Sequence, residues 1–269
     1  MKKFEGMILA CDMDGTLLDD DRQISQGNQQ ALRYFTQEGG RFSLATGRAP
    51  QAIQPYIPQM PFNAPYSLLN GSLILDSSHH VLHCAGMPED TKDLIRITLS
   101  EFSQIGCEIF VGNRVLIRRM SPETEHHIKV LDLEYSMVTQ ESLGNTAEWC
   151  KINFTGKPEQ MENVRMFLKP YTDRFCMASS MPAFCEITAS GINKGSALRQ
   201  IAADCGIAEN RIFAIGDSYN DEAMLQAAHI GFAPSNSDED ILRTADVVVC
   251  SNNEDAVAQA IEYMEAHYC

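Results

Sequence analysis

Short, largely apolar runs punctuate the chain at residues 7–11, 42–45, 66–69, 211–215, 230–233 and 246–249. Runs of this length without polar alternation read as strands buried on both faces, as in a parallel sheet covered by helices. Stretches between them carry helix-end signals. Ser25 can cap a helix that runs to Glu38 and stops at Gly39-Gly40, and Asn193 can cap one that runs to Cys205 and stops at Gly206. Alternating strand and helix predict an α/β domain with a doubly wound parallel sheet. Polar residues gather at one end of the runs: Asp12 and Asp14, then Thr46, Asn70 and Asp217. Ligands of open α/β sheets bind outside the carboxyl ends of the strands, so these side chains are expected in one crevice.

Spacing then predicts a second domain. About 30 residues separate Asp14 from Thr46, enough for one helix and its loops, whereas about 150 separate Thr46 from Lys194. The core is therefore expected from residues 1–82 and 188–269, and residues 83–187 as an inserted α+β domain. Strands are predicted there near residues 81–84, 108–111, 115–118, 135–138, 151–155 and 184–187, with helices near 89–104 and 158–168. The pattern assigns no element to residues 121–133.

With 44% hydrophobic residues in 269, the chain can bury a core, which excludes a disordered protein. A formal net charge of -15, without a Lys/Arg run, argues against nucleic acid and anionic membrane as partners. An anionic substrate would then need local cations or a metal. The nine cysteines are odd in number and lack C-x-x-C spacing, and Cys11, Cys205 and Cys250 lie in apolar runs. They read as reduced thiols of a cytoplasmic protein. No run approaches the ~20 apolar residues of a membrane span, and the run after Met1–Gly6 is too short for a secretion signal. His79, His80 and His83 lack partners at ligand spacing and are read as non-metal residues. Arg114, Arg118 and Arg119 are read as solvated strand-edge charge rather than as contacts to an acidic substrate.

Asp12-Met13-Asp14-Gly15-Thr16 alone is compatible with an acidic turn. It is no calcium loop, because Leu17 and Gln23 stand where Gly and Glu are needed, and the chain has no P-loop pattern. Two carboxylates two residues apart on a strand end face one side, so one can attack while the other handles protons. With Asp217 and Asp221 the crevice would hold four acids. Unit charges about 4 Å apart repel by about 4 kcal/mol at an effective dielectric of about 20, which calls for a cation, and hard oxygen ligands select magnesium. Thr46-Gly47-Arg48, ahead of Pro50, suits either a helix N-cap or phosphate-binding donors. Lys194 is either a solvated charge, slightly disfavoured at a helix start, or a lysine aimed at an anion; it is expected to add little to packing. Ser218 and Asp221 form a capping-box pattern, while Asp217 lies at the crevice.

In order, D-x-D-G-T, T-G-R, a lysine and G-D-x-x-N-D resemble the four motifs of the haloacid dehalogenase-like hydrolases. The insert between the second and third resembles the C2-type cap of the Cof-type sugar-phosphate phosphatases. The resemblance implies a Rossmann-like core with an α+β cap domain, and a Mg2+-dependent phosphatase acting on a small phosphorylated metabolite. On that pattern Asp12 is the nucleophile that forms an aspartyl-phosphate, and Asp14 is the general acid and base. Magnesium would be held by Asp12, the backbone carbonyl of Asp14 and Asp217, with Asp221 either binding the ion directly or positioning its ligands. Thr46, Gly47, Lys194, Asn220 and backbone amides around Met13 would hold the transferring oxygens, and the cap would close over the crevice and read the leaving group. A phosphomutase of the same superfamily shares every one of these residues, and a catalytically silent binding module is the alternative of another class. A true dehalogenase would not need Asp14 as proton donor. The sequence carries no signature of oligomeric state.

Overall fold

The structure, a computed structural model, describes residues 2–269. The chain divides into two compact units. One comprises Met1–Thr46, Pro55–Leu82 and Asn193–Cys269; the other comprises Gly47–Gln54 and His83–Ile192.

The first unit is built on a five-stranded parallel sheet ordered Val247–Val249, Ile230–Pro234, Ile212–Ile215, Ile8–Cys11, Arg41–Leu44. Ile8 pairs with Ile212 on one side and Arg41 on the other. The period-2 pleat sends Ile8, Ala10, Ile212 and Ala214 to one face, where they join Leu198, Ile201 and Met224. Phe213 and Phe232 meet Tyr268 and Tyr263 of the helix Ala256–Tyr268, with ring centroids 5.0 and 5.5 Å apart. Both faces are thus covered, which is why the strands read as continuous apolar runs. Ser25 caps the helix Gln26–Gln37 by accepting from Asn28 N at 3.1 Å.

Two expectations need correction. The run at 66–69 is not a full member of this sheet. Tyr66–Leu68 pairs antiparallel with Leu73–Leu75, and Val81–Cys84 completes that three-stranded sheet. An isolated Ala45–Ser67 bridge links it to the parallel sheet. The cause is local: Leu69, Asn70 and Gly71 all have positive φ (53°, 57° and 93°), so the chain reverses before the strand can lengthen. Val81–Cys84 accordingly belongs with Tyr66–Leu68 and Leu73–Leu75 rather than with the strands of the insert.

The second unit holds a six-stranded sheet ordered Phe175–Ala178, Phe184–Ala189, Lys151–Thr155, Gly106–Val111, Arg114–Arg119, Tyr135–Met137, antiparallel except for its last pair. Ile109, Ile152, Phe154 and Ile187 pack with Leu94, Ile95 and Leu99 of the helix Thr91–Glu101 and with Met161, Val164 and Leu168 of the helix Pro158–Leu168. Buried polar side chains alternate with these along the same strands. Lys151 pairs with Glu186 at 2.7 Å, and Glu108 accepts from Asn153 Nδ2 at 2.9 Å and lies 2.9 Å from His127 Nδ1. The stretch left open at 121–133 forms the helix Pro122–Leu131, because Ser121 accepts from Thr124 N at 3.1 Å and Pro122 suits a first helical position. Arg119 is not solvated edge charge. Its Nη1 donates to Leu99 O and Phe102 O, both at 2.9 Å, and satisfies carbonyls at the end of Thr91–Glu101. Among the described residues no helix is long and apolar enough to cross a membrane.

Candidate active site

Asp12 leaves the end of the central strand with its N–H still bonded to Ile215 O at 2.9 Å and an extended backbone (φ -70°, ψ 168°). One wide turn follows, closed by Leu18 N to Met13 O at 2.8 Å, with Gly15 at φ 73°. A Cβ on Gly15 would lie 2.4 Å from Asp217 Oδ2. Thr16 Oγ1 donates to Asp217 Oδ1 at 2.7 Å. The glycine and threonine of D-x-D-G-T are therefore the seat of a carboxylate 201 positions away from Thr16.

Asn193 caps the helix Lys194–Asp204 by accepting from Ser196 N at 2.8 Å, which makes Lys194 its first residue. The Lys194 side chain is fully buried, and its Nζ donates to Asp12 Oδ1 and to Asp221 Oδ1, each at 2.7 Å. Burial pulls the ammonium pKa down, but the two carboxylates more than reverse this and hold it above the ordinary lysine range. The expectation that this lysine adds little to packing fails, because it is among the largest fully buried side chains.

Asp221 combines both of its readings. Its Oδ2 accepts from Asp217 N at 3.2 Å and Ser218 N at 3.1 Å, as a capping box requires, while Oδ1 takes the lysine. Gly216 leaves it room, since a Cβ there would stand 2.5 Å from Asp221 Cγ. Asp12, Asp217 and Asp221 each offer an oxygen within 4.8 Å of the others. Among the described residues this is the one grouping of three or more His, Cys or carboxylate side chains so placed. Burial, and then the charge of Asp221, push Asp217 up to about 7 against the Thr16 hydrogen bond. Burial and Asp221 raise Asp12 as well, against the pull of Lys194.

Of the four expected acids, three stand in this grouping. Asp14, three residues past the strand, has an exposed side chain outside the group, although its charge still raises Asp12 and Asp217. Met13 is buried. Thr46 is buried too, in a loop pinned by Thr46 N to Ser67 O and Asn70 N to Thr46 O, both 3.1 Å. Its capping alternative falls away, since Ala49 occupies the N-cap of the helix Pro50–Ile53 and makes no side-chain cap bond. Gly47 is part of the second unit, where its carbonyl accepts from Lys151 Nζ at 2.6 Å. Asn220 is buried; its Nδ2 donates to Asn70 Oδ1 at 3.3 Å, and its Oδ1 has no hydrogen-bond partner. Thr16 has no role of its own in the sequence reading, and Asn70 is expected in the crevice but with no function assigned. Thr16 was signalled only by its place in the pentapeptide, and Asn70 only by its place after a strand.

The sequence model of the haloacid dehalogenase-like hydrolases matches residues 9–261. The chain is 28% identical over 258 residues to the 5-amino-6-(5-phospho-D-ribitylamino)uracil phosphatase YcsE of Bacillus subtilis, covering 95% of this chain and 94% of that one. It is 26% identical over 287 residues to the phosphatase YwpJ of the same organism, covering 96% and 99%. Its fold matches a haloacid dehalogenase-like hydrolase from B. subtilis with a TM-score of 0.85 at 24% identity over 100% of both chains. It also matches a sugar phosphatase of haloacid dehalogenase subclass IIB, with a TM-score of 0.82 at 21% identity over 96% of this chain and 98% of that one. With the family model running from the central strand into the last helix, the chain belongs to the haloacid dehalogenase-like hydrolases.

Proposed function

We propose that this hydrolase of phosphate esters is a magnesium-dependent phosphatase of small phosphorylated metabolites, sugar phosphates foremost, working through an aspartyl-phosphate on Asp12. The observation that carries the reading is the buried Lys194 ammonium, shared at 2.7 Å between Asp12 and Asp221 with Asp217 in the same group. A carboxylate gripped at one oxygen by a fixed cation is an oriented nucleophile.

The acidic group also fits a divalent ion. Ligands about 2.1 Å from one octahedral ion stand roughly 3–4 Å apart, so small rotations would bring oxygens that now lie within 4.8 Å onto a common centre. Asp12, Asp217 and Asp221, with the Asp14 carbonyl, would hold magnesium, which would neutralise charge on the acids and on the phosphate. Asp12 attacks phosphorus as the bond to the leaving oxygen breaks, and Asp14 protonates that oxygen. Asp14 then takes a proton from the water that cleaves the aspartyl-phosphate and restores Asp12. Lys194, Thr46, Gly47, Asn220 and the backbone at Met13 stabilise the transferring oxygens. The second unit, inserted between Thr46 and Lys194, selects the leaving group as a cap. The name of the relative YcsE, a phosphatase of a small phosphorylated compound, supports the substrate class.

The test is phosphate release with magnesium from hexose and triose phosphates, nucleotides and a phosphopeptide. Sugar phosphates should give the highest kcat/KM. A preferred phosphopeptide would defeat the substrate reading, and isomerised product without free phosphate would make the chain a phosphomutase.

Asp14→Asn should cost far more with alkyl phosphates than with p-nitrophenyl phosphate, whose leaving group needs little protonation. Equal losses across leaving groups would remove Asp14 as the acid.

Excess chelator should stop turnover, and added magnesium should raise the thermal midpoint in a pH-dependent way. Asp217 is raised to about 7 in the fold, against roughly 3.9 unfolded. The stability contributed by its bound proton is present below about 4 and lost as pH rises towards 7. A cation competes with that proton, so the gain in midpoint should be small at about pH 5.5 and larger at about pH 8. Equal gains at both values would place the ion elsewhere.

A further inference from the structure

The second unit brings two thiols into contact away from the carboxylate site. Cys84 Sγ and Cys150 Sγ lie 3.1 Å apart across 66 positions of sequence, and both are free. Neighbouring backbone holds them there. Met87 N donates to Thr146 O at 3.0 Å, a Cβ on Gly86 would come within 2.0 Å of Ala147 O, and Cys150 N donates to Phe110 O at 2.8 Å. Residues 84–87 therefore run along residues 146–150, and the sulfurs stand about 1 Å from the ~2.05 Å separation of a disulfide. The two are unequal partners: Cys84 is exposed, while Cys150 is buried behind it.

The geometry points to a redox modification site in which a hydroperoxide oxidises Cys84 and Cys150 resolves it to a disulfide. The shared S–H contact lowers Cys84 to about 7, against partial burial and the charge of Glu148, and together with burial it raises Cys150. Exposed Cys84 is the sulfur that a peroxide reaches first, and buried Cys150 is placed to resolve it, the division of labour such chemistry needs. In the first step the Cys84 thiolate attacks a peroxide oxygen. An S–O bond forms, the O–O bond breaks, and the departing oxide takes a proton. In the second, Cys150 sulfur attacks Cys84 sulfur while its proton goes to the departing hydroxyl. The S–S bond forms, the S–O bond breaks, and water leaves. Two electrons pass from two thiols to one peroxide, and a dithiol reverses the change by exchange. The bond would fasten the segment through which the chain re-enters the second unit at His83.

The experiment takes the full chain, reduced with dithiothreitol and desalted, and adds one equivalent of hydrogen peroxide before alkylation and peptide mapping. The expected product has lost the mass of two hydrogens and two alkylatable thiols, and yields one peptide pair joined through Cys84 and Cys150, which dithiothreitol separates. Cys150→Ser should stop at a Cys84 sulfenic acid that dimedone traps. Cys84→Ser should slow peroxide consumption at least tenfold. The proposal is overturned if, in the unsubstituted chain, Cys84 stays reduced while other thiols react, or Cys84 is oxidised while Cys150 remains alkylatable. Because those two outcomes are read on the unsubstituted chain, a poorly folding variant leaves the test intact.

Discussion

Replacing Asp12 by asparagine is expected to abolish phosphate release while leaving the chain folded. The carboxamide keeps the shape of the side chain and an oxygen that can accept from Lys194 Nζ, which now sits 2.7 Å from Asp12 Oδ1. It cannot supply the anionic oxygen that the proposed attack on phosphorus requires. Removing this charge also relieves a carboxyl whose pKa is raised by burial and by Asp221, so stability should be kept or gained. Steady-state rates and thermal midpoints, measured side by side, separate the two effects. Retention of more than about a tenth of the original kcat would mean that a different residue attacks.

Lys194→Met carries the second large effect, and it should appear in two observables. Losing one preorganised charge contact to the transition state should cost roughly 2–4 kcal/mol, about 30- to 1,000-fold in kcat/KM. The methionine also strands buried Asp12 and Asp221 without their shared cation. Breaking a buried pair in this way typically costs about 3–5 kcal/mol of folding stability. Magnesium should return part of that stability, because an ion at the same carboxylates takes over the neutralising role. Urea unfolding with and without magnesium, alongside kcat/KM, tests both. Unchanged values on both measures would show that the lysine is neither a structural nor a catalytic cation.

What the sequence disclosed followed the range of the interaction concerned. Ser25 and Asn193 announce their helices because a cap is a bond across three residues, to Asn28 and to Ser196. Lys151–Thr155 and Pro158–Leu168 fall where the pattern puts them because burial of their own side chains defines them. Val81–Cys84 has the composition of a buried strand yet lies exposed, and its sheet is decided by partners that no local pattern names. Phe175–Ala178 escapes notice because it is an edge strand paired only with Phe184–Ala189. At the site, the motif residues could be named, but the burial of Lys194 could not. It depends on Asp12 and Asp221, 182 and 27 positions away.

The place of Ile8–Cys11 in the middle of the parallel sheet bears on how the chain is made. Its partner Arg41–Leu44 follows within one helix, but its other partner, Ile212–Ile215, comes some 200 residues later, after the whole second unit. At translation rates of about 5–20 residues per second, the wait is roughly 10–40 s. For that interval the ribosome-borne chain holds a strand hydrogen-bonded along one edge only, while the second unit, complete in itself, can already fold. The vulnerable species in biosynthesis is therefore the nascent chain that ends short of Ile212. Chaperone demand and aggregation should respond to synthesis speed through residues 83–211 more than to changes in the finished core.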